Sequence, residues 1–104
     1  MQKSRLIAAI DLSKPEGQRN KAILETLYGC GLRVSELVGL QLSDLYFDEG
    51  FIKVTGKGNK QRFVPVGDTT QKYINIYRNE IRAHQTPKAG HENILFLNRQ
   101  DPLS

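Results

Sequence analysis

The stretch FIKVTGKGNKQRFVPV, residues 51–66, decides the fold, because apolar residues alternate with polar ones on both sides of a glycine-rich turn. Ile52 and Val54 repeat with the two-residue period of a strand that buries one face. Val64 and Val66 repeat the same period after the turn. The stretch therefore predicts two antiparallel strands joined by a tight loop.

The residues around this hairpin extend the prediction to a third strand. The Asp-Glu-Gly segment 48–50 has turn chemistry, so Tyr46-Phe47 is predicted to pair with the run that begins at Phe51. Pro65 places the last strand at an edge of the sheet, since proline cannot donate to a strand ladder. The exposed tip of the hairpin is predicted to run from Gly56 to Gln61.

Three helices are predicted around this sheet. SKPE at 13–16 has the Ser-x-x-Glu form of a capping box with proline in the first turn, and the helix it starts is ended by Gly-Cys-Gly at 29–31. A second helix is predicted from Arg33 to Leu40. A third follows Asp68, which is expected to cap it.

The apolar positions of these helices are expected to supply the core, and the tail contains one further apolar run, Ile94–Leu97. The helical positions are Ala22, Ile23, Leu24, Leu27, Tyr28, Val34, Leu37, Val38, Tyr73, Ile74, Tyr77 and Ile81. The predicted class is α+β: a mostly helical chain with a small three-stranded antiparallel sheet and the helices packed on one side of it.

Charge is concentrated in the hairpin. The chain has 104 residues, 15 of them basic and 11 acidic, for a net charge of +4. The hairpin stretch contains Lys53, Lys57, Lys60 and Arg62 and no acidic residue, so it carries the whole excess. Such a concentration can mark a contact with a polyanion, although on composition alone a solvated hairpin tip is the more common explanation.

Several classes of site are excluded by composition. The single cysteine, Cys30, rules out an internal disulfide and suits a reducing cytoplasm. His84 and His91 have no cysteine partner at metal-site spacing, so no metal is expected. No run approaches the roughly 20 apolar residues of a membrane span. The expectation is a soluble cytoplasmic domain without a membrane partner.

The glycine-rich loop is not a nucleotide-binding loop either. A P-loop requires glycine five residues before the glycine that precedes its lysine, and Phe51 occupies that position here. The residue after Lys57 is Gly58 rather than serine or threonine, and the third glycine of a dinucleotide fingerprint is replaced by Gln61. No nucleotide cofactor is expected.

A second motif, GCGLRVSELVGLQLSDL at residues 29–45, places an arginine at a helix start. Glu36 follows Arg33 by three positions, so its carboxylate is predicted to lie on the same helical face and to brace the guanidinium. The apolar residues after Arg33 predict that its side chain is partly buried, and its planar fork suits phosphate oxygens. A plain surface ion pair is the simpler alternative.

Together the two motifs resemble the tyrosine recombinases, also called phage integrases, and most of all their Xer-type bacterial members. The resemblance rests on Gly-Leu-Arg-x-Ser-Glu-Leu and Thr-Gly-Lys-Gly-Asn-Lys, with Arg33 and Lys57 separated by 24 positions. It runs from roughly Leu12 to Leu103. Type IB topoisomerases share the chemistry, but the context of the arginine is more similar to that of recombinases.

The resemblance implies a role for each matching residue. Arg33 corresponds to the first catalytic arginine, which holds the non-bridging oxygens of the scissile phosphate, and Glu36 to the acidic residue that supports it. Lys57 corresponds to the hairpin lysine that protonates the leaving 5′-oxygen. The remaining basic residues of the hairpin are expected to contact the DNA: Lys53, Lys60 and Arg62.

The implied reaction is metal-free cleavage and rejoining of double-stranded DNA through a 3′-phosphotyrosyl intermediate, by a tetramer on paired DNA sites. The rest of the family's site does not match, because His84 and His91 are not followed by arginine three positions on, and the four tyrosines precede the position of the nucleophile. Residues 1–104 are therefore predicted to be the first half of one catalytic domain, without its core-binding domain or C-terminal half, and inactive alone.

Two alternatives of other classes remain at this point. One is a non-catalytic DNA-binding protein derived from a recombinase. The other is a basic interaction domain whose two motifs are coincidental. A His-x-x-Arg motif and a later tyrosine beyond Ser104 would favour the recombinase.

Overall fold

The computed structural model describes residues 12–98 and 101–103. Its α-helices are α1 (Pro15–Cys30), α2 (Val34–Val38) and α3 (Asp68–Glu80), with 3₁₀ turns at Leu42–Asp44, Lys57–Asn59 and Arg82–His84. Strands β1 (Leu45–Tyr46), β2 (Phe51–Thr55) and β3 (Gln61–Pro65) form an antiparallel sheet in chain order, and β4 (Leu97–Asn98) pairs separately with β5 (Asp101–Pro102). The predicted α+β class is confirmed.

The first helix begins at a proline and ends at a glycine. Pro15 occupies the first turn, where its fixed φ suits the helix and its missing N–H costs nothing. The N-cap is Lys14, so the capping box predicted with Ser13 as N-cap is wrong. Gly31 closes the helix with φ 63° and its N–H bonded to the carbonyl of Leu27, a left-handed conformation that glycine adopts without strain.

The second helix is shorter than predicted, and the third begins one residue earlier. α2 has only five residues, with Arg33 as its N-cap, and its core contact is made by Leu37, which is 2% exposed. Val34 is 66% exposed, so the prediction that it belongs to the core is wrong. The same holds for Tyr28 of α1, which is 50% exposed. Asp68 begins α3 instead of capping it, since the N-cap is Gly67.

The sheet has one buried face. Ile52 pairs with Val64 and Val54 pairs with Arg62, and both residues of β2 are fully buried against the helical core. The opposite face carries the aromatic rings of Tyr46, Phe51 and Phe63, which contact one another while Phe63 stays 63% exposed. This confirms helices on one side of the sheet and an edge position for the strand that contains Pro65.

The segment before β4 lies in the centre of the core. Leu95, Phe96 and Leu97 are fully buried. The Tyr77 hydroxyl donates to the Leu95 carbonyl at 3.0 Å and accepts the Leu97 N–H at 3.2 Å. The Leu95 N–H donates in turn to the carbonyl of Leu40 at 3.0 Å, which holds the end of α2 against this segment.

Candidate functional site

A cleft of about 510 Å³ lies between the start of α2 and the β2–β3 hairpin. Four predicted site residues line it: Arg33, Glu36, Lys53 and Lys57. Two others, Lys60 and Arg62, lie on the same hairpin but outside the lining of the cleft. The structure therefore brings the predicted phosphate-binding arginine and the predicted general acid to one cavity.

Arg33 reaches the cleft from the N-cap position. Its backbone is extended, with φ −77° and ψ 154°, so the side chain departs before the first turn of α2. The residue is exposed, and the prediction of a partly buried arginine is wrong. The apolar residues that suggested burial belong to later positions, and only Leu37 and Leu40 of that group are buried. Within the described residues, no ion pair occupies its guanidinium.

Glu36 is the buried centre of the site, with 4% of its side chain exposed. Its Oε1 accepts the Arg33 backbone N–H at 2.9 Å, and its two oxygens accept both terminal nitrogens of the Arg62 guanidinium. Glu36 therefore braces Arg33 through the backbone and not, as predicted, through the guanidinium. The guanidinium that it binds comes from β3.

These contacts decide the charge of Glu36. The hydrogen bonds from Arg62, and then that from the Arg33 N–H, lower the pKa of the carboxyl group from 4.5 to about 2. Burial acts in the opposite direction and is outweighed. The same hydrogen bond raises the pKa of Arg62. At neutral pH the pair is a carboxylate and a guanidinium held face to face.

The tip of the hairpin has the predicted position between the two strands. The Gly56 N–H donates to the Lys60 carbonyl at 2.7 Å, which closes the loop, and the 3₁₀ turn Lys57–Asn59 forms its end. Gly58 and Asn59 are left-handed, with φ 70° and 60°. Lys57 and Lys60 are both exposed. The tip thus presents two lysines to solvent.

Lys53 is less free than its neighbours. Its amino group lies 3.6 Å from Asp44 Oδ1, and Asp44 also accepts the Gln41 N–H at 2.9 Å. Asp44 is a cleft residue that the sequence interpretation missed. The available signal was the spacing Gln41-x-x-Asp44, which places a carboxylate at the third position of a turn, as in a capping box.

Outside the cleft, the described part of the chain shows neither a metal-binding cluster nor a reactive thiol. It contains no group of three His, Cys, Asp or Glu side chains that could hold a metal ion. Cys30 is buried, which raises the pKa of its thiol and disfavours the reactive thiolate. None of the helices described has both the length and the apolar composition needed to cross a membrane.

Comparison with known proteins identifies the family. A model of the phage integrase family matches residues 1–104, and the chain belongs to that family. It is 45% identical over 94 residues to the tyrosine recombinase XerD of Staphylococcus haemolyticus, which covers 90% of this chain and 32% of the relative. For the XerD of Staphylococcus saprophyticus the identity is 46% over 100 residues, covering 95% and 34%.

Solved structures agree with this assignment. The crystal structure of XerA recombinase matches with a TM-score of 0.79 and 32% identity, over 98% of this chain and 34% of that one. The Tn1549 transposon integrase in complex with circular intermediate DNA matches with a TM-score of 0.71 and 25% identity, over 99% and 37%. The chain spans about a third of the length of these relatives. The resemblance drawn from the two motifs is confirmed.

Proposed function

We propose that this chain supplies the phosphate-binding and leaving-group part of the catalytic domain of a site-specific DNA recombinase. The observation that carries the proposal is the shared cleft: Arg33 and Lys57 line one cavity, in a chain of the phage integrase family. The substrate is double-stranded DNA in the cytoplasm, and the whole recombinase acts as a tetramer on paired DNA sites.

Arg33 is assigned to the scissile phosphate. Attack on a phosphodiester places negative charge on the two non-bridging oxygens, and a planar guanidinium can donate to both. Arg33 suits this task because its side chain is exposed at the cleft and has no ion pair within the described residues. Glu36 supports it by holding the backbone N–H of the same residue.

Lys57 is assigned to the leaving group. A tyrosine hydroxyl releases its proton to solvent as its oxygen attacks phosphorus, the bond to the 5′-oxygen breaks, and that oxygen takes a proton from the Lys57 ammonium. The product is a 3′-phosphotyrosyl ester, which a 5′-hydroxyl of a partner strand can attack to rejoin the DNA. Because the phosphotyrosyl product is itself a phosphodiester, rejoining needs no nucleotide cofactor as an energy source, and the proposed steps use no metal.

The attacking tyrosine is assigned to chain outside residues 1–104. None of the four tyrosines of this chain lines the cleft, and Tyr77 is fully buried with its hydroxyl bonded to backbone. Residues 1–104 are thus proposed to form one truncated catalytic domain. We expect this chain alone to bind duplex DNA and to form no covalent adduct with it on a denaturing gel.

The test uses a recombinase that contains this sequence and compares two substrates. Lys57→Ala should slow cleavage of normal DNA by about 10²–10⁴-fold, the usual contribution of a general acid. The same variant should cut DNA with a 5′-bridging sulfur almost as fast as the unmodified enzyme, since a thiolate leaves without a proton. Arg33→Ala should stay slow on both substrates.

The second candidate is a non-catalytic DNA-binding protein, which is favoured by the exposed lysines at the hairpin tip. It predicts that Lys57→Ala weakens binding and that no variant shows sulfur-dependent recovery. If sulfur fails to restore Lys57→Ala, then Lys57 is a backbone contact and this candidate replaces the first.

A further inference from the structure

We infer that Arg62 is a positioning residue, which fixes the Lys57 hairpin relative to Arg33 by clamping β3 to the buried carboxylate of Glu36. The inference rests on the proposed function, since it concerns the distance between the proposed general acid and the proposed phosphate ligand. It replaces the expectation that Arg62 contacts the DNA backbone.

The first support is the pattern of hydrogen bonds. The two oxygens of Glu36 accept both terminal nitrogens of Arg62, and Oε1 also accepts the N–H of Arg33. One carboxylate therefore joins two segments that are 26 residues apart, the N-terminus of α2 and strand β3. A bidentate arginine–carboxylate pair fixes orientation as well as distance.

The second support is the close approach of Gly56. A β-carbon at this position would lie 3.3 Å from Glu36 Oε2, 3.7 Å from the Lys60 carbonyl and 4.0 Å from Arg62 Nη1. The loop that carries Lys57 thus starts beside the ion pair, with no room to spare for a side chain. Since Gly56 and Lys57 are adjacent, we expect a shift of the Glu36–Arg62 pair to move the backbone from which the Lys57 side chain extends.

Charge separates Arg62 from the other basic residues of the hairpin. Half of its side chain is exposed, at 49%, but both terminal nitrogens are bound to the 4% exposed carboxylate. A phosphate would have to compete for the guanidinium with a carboxylate whose pKa is already lowered. Lys60, which is exposed and has no ion pair in the described part of the chain, is the matched control.

Proton transfer explains why this clamp would matter for the rate. A general acid must lie within hydrogen-bond reach of the oxygen it protonates, and a misplacement of about 1 Å can cost about 10²-fold. The charge stabilisation by Arg33 tolerates loss of the clamp better, because the start of α2 is also held by Leu37 in the core. Loss of Arg62 should therefore imitate loss of Lys57.

The experiment measures cleavage rates of Arg62→Gln, Arg62→Lys and Lys60→Gln in a recombinase that contains this sequence. Arg62→Gln is expected to be about 10–100-fold slower on normal DNA and close to the parent enzyme on DNA with a 5′-bridging sulfur. Arg62→Lys keeps the positive charge but cannot make the two parallel hydrogen bonds of a guanidinium. Its cleavage rate on normal DNA should fall less than that of Arg62→Gln, and the sulfur substrate should restore it. Lys60→Gln should change the rates on both substrates by the same factor.

A double variant guards against loss of folding. Arg62→Gln leaves the Glu36 carboxylate buried without its partner, whereas Glu36→Gln/Arg62→Gln removes that charge and allows the same comparison of substrates. An equal loss on normal and sulfur-containing DNA in both variants overturns the inference, because general destabilisation affects the two substrates alike.

The result for Lys57→Ala distinguishes the two proposals. If sulfur restores Lys57→Ala but not Arg62→Gln, the proposed function stands and the role of Arg62 is wrong. If sulfur does not restore Lys57→Ala, the proposed function fails, and the positioning role of Arg62 fails with it.

Discussion

The base and the tip of the β2–β3 hairpin are built in opposite ways. At the base, Arg62 is paired with a buried carboxylate, and a β-carbon at Gly56 would lie 3.3 Å from an oxygen of the same carboxylate. At the tip, Gly58 and Asn59 are left-handed, and a β-carbon on Gly58 would meet nothing within 4 Å. The two regions lie only a few residues apart and share the same strands.

This difference separates two tasks within one short element. A side chain that must act at a fixed distance from Arg33 needs a rigid origin, which the ion pair at the base provides. A side chain that must meet DNA needs exposure, which the tip provides.

Removal of the carboxylate should have the largest effect on stability. Glu36→Ala deletes a bond to the N-terminus of α2 and two bonds to a guanidinium, so we expect a loss of about 2–4 kcal/mol in the free energy of unfolding. Urea denaturation of the 104-residue chain measures it. The control is Lys60→Gln at the tip, expected within about 0.5 kcal/mol of the parent chain. Equal midpoints for the two variants would remove the contrast.

The contribution of Glu36 should also depend on pH. Because its pKa in the folded chain, about 2, lies below the ordinary value of 4.5, the carboxylate stabilises the fold above pH 4.5, and this contribution is lost as the pH falls through 2. The difference in unfolding free energy between the parent chain and Glu36→Gln should therefore shrink from pH 5 to pH 2. A constant difference would show that the charge of Glu36 is unimportant.

Alanine at the two glycines should separate packing from backbone conformation. Gly58→Ala forces a left-handed alanine and should cost about 1–2 kcal/mol without changing the pKa of Glu36. Gly56→Ala has an ordinary backbone, with φ −102°, but its β-carbon presses on Glu36 Oε2, so it should raise that pKa. Carbon-detected NMR titration of the Glu36 carboxyl group measures its pKa in both variants. The same shift in both variants would mean that base and tip are not independent.

The smallest effect on stability, and a clear one on binding, is expected from Lys60. Lys60→Gln removes an exposed charge, so the plot of log affinity against log salt for duplex DNA should become less steep by about 1. Fluorescence anisotropy between low and physiological salt measures the slope. An unchanged slope would place Lys60 away from the phosphates.

The sequence predicted the hairpin well, because its evidence is local. Alternation around the glycine loop determines which residues of β2 and β3 face the core, and the loop length determines the register. The same alternation contained a signal that was not used: Arg62 lies two positions before Val64, so it shares the buried face of β3 and points towards the helices. This position on the same face as Val64 could have indicated that Arg62 has a buried acidic partner.

The contacts of the site were less predictable, because they depend on packing between distant segments. The partner of Arg62 is 26 residues away, and nothing in the local pattern selects Glu36 over the exposed acidic residues. The exposure of Arg33 follows from the exact start of α2, which residue spacing does not define. The catalytic roles assigned to Arg33, Lys57 and Glu36 remain predictions.

The burial of Leu95–Leu97 has a consequence for synthesis of the chain. Leu95 bonds to Leu40 and Ile94 bridges to Gln41, so the core is closed by a segment made more than 50 residues after the residues that it covers. At a translation rate of about 5–20 residues per second, roughly 3–11 s pass between the synthesis of Leu40 and that of Leu95. During that interval the apolar faces of the first two helices lack the segment that covers them in the folded chain, so the contacts that close the core are among the non-local ones that form late.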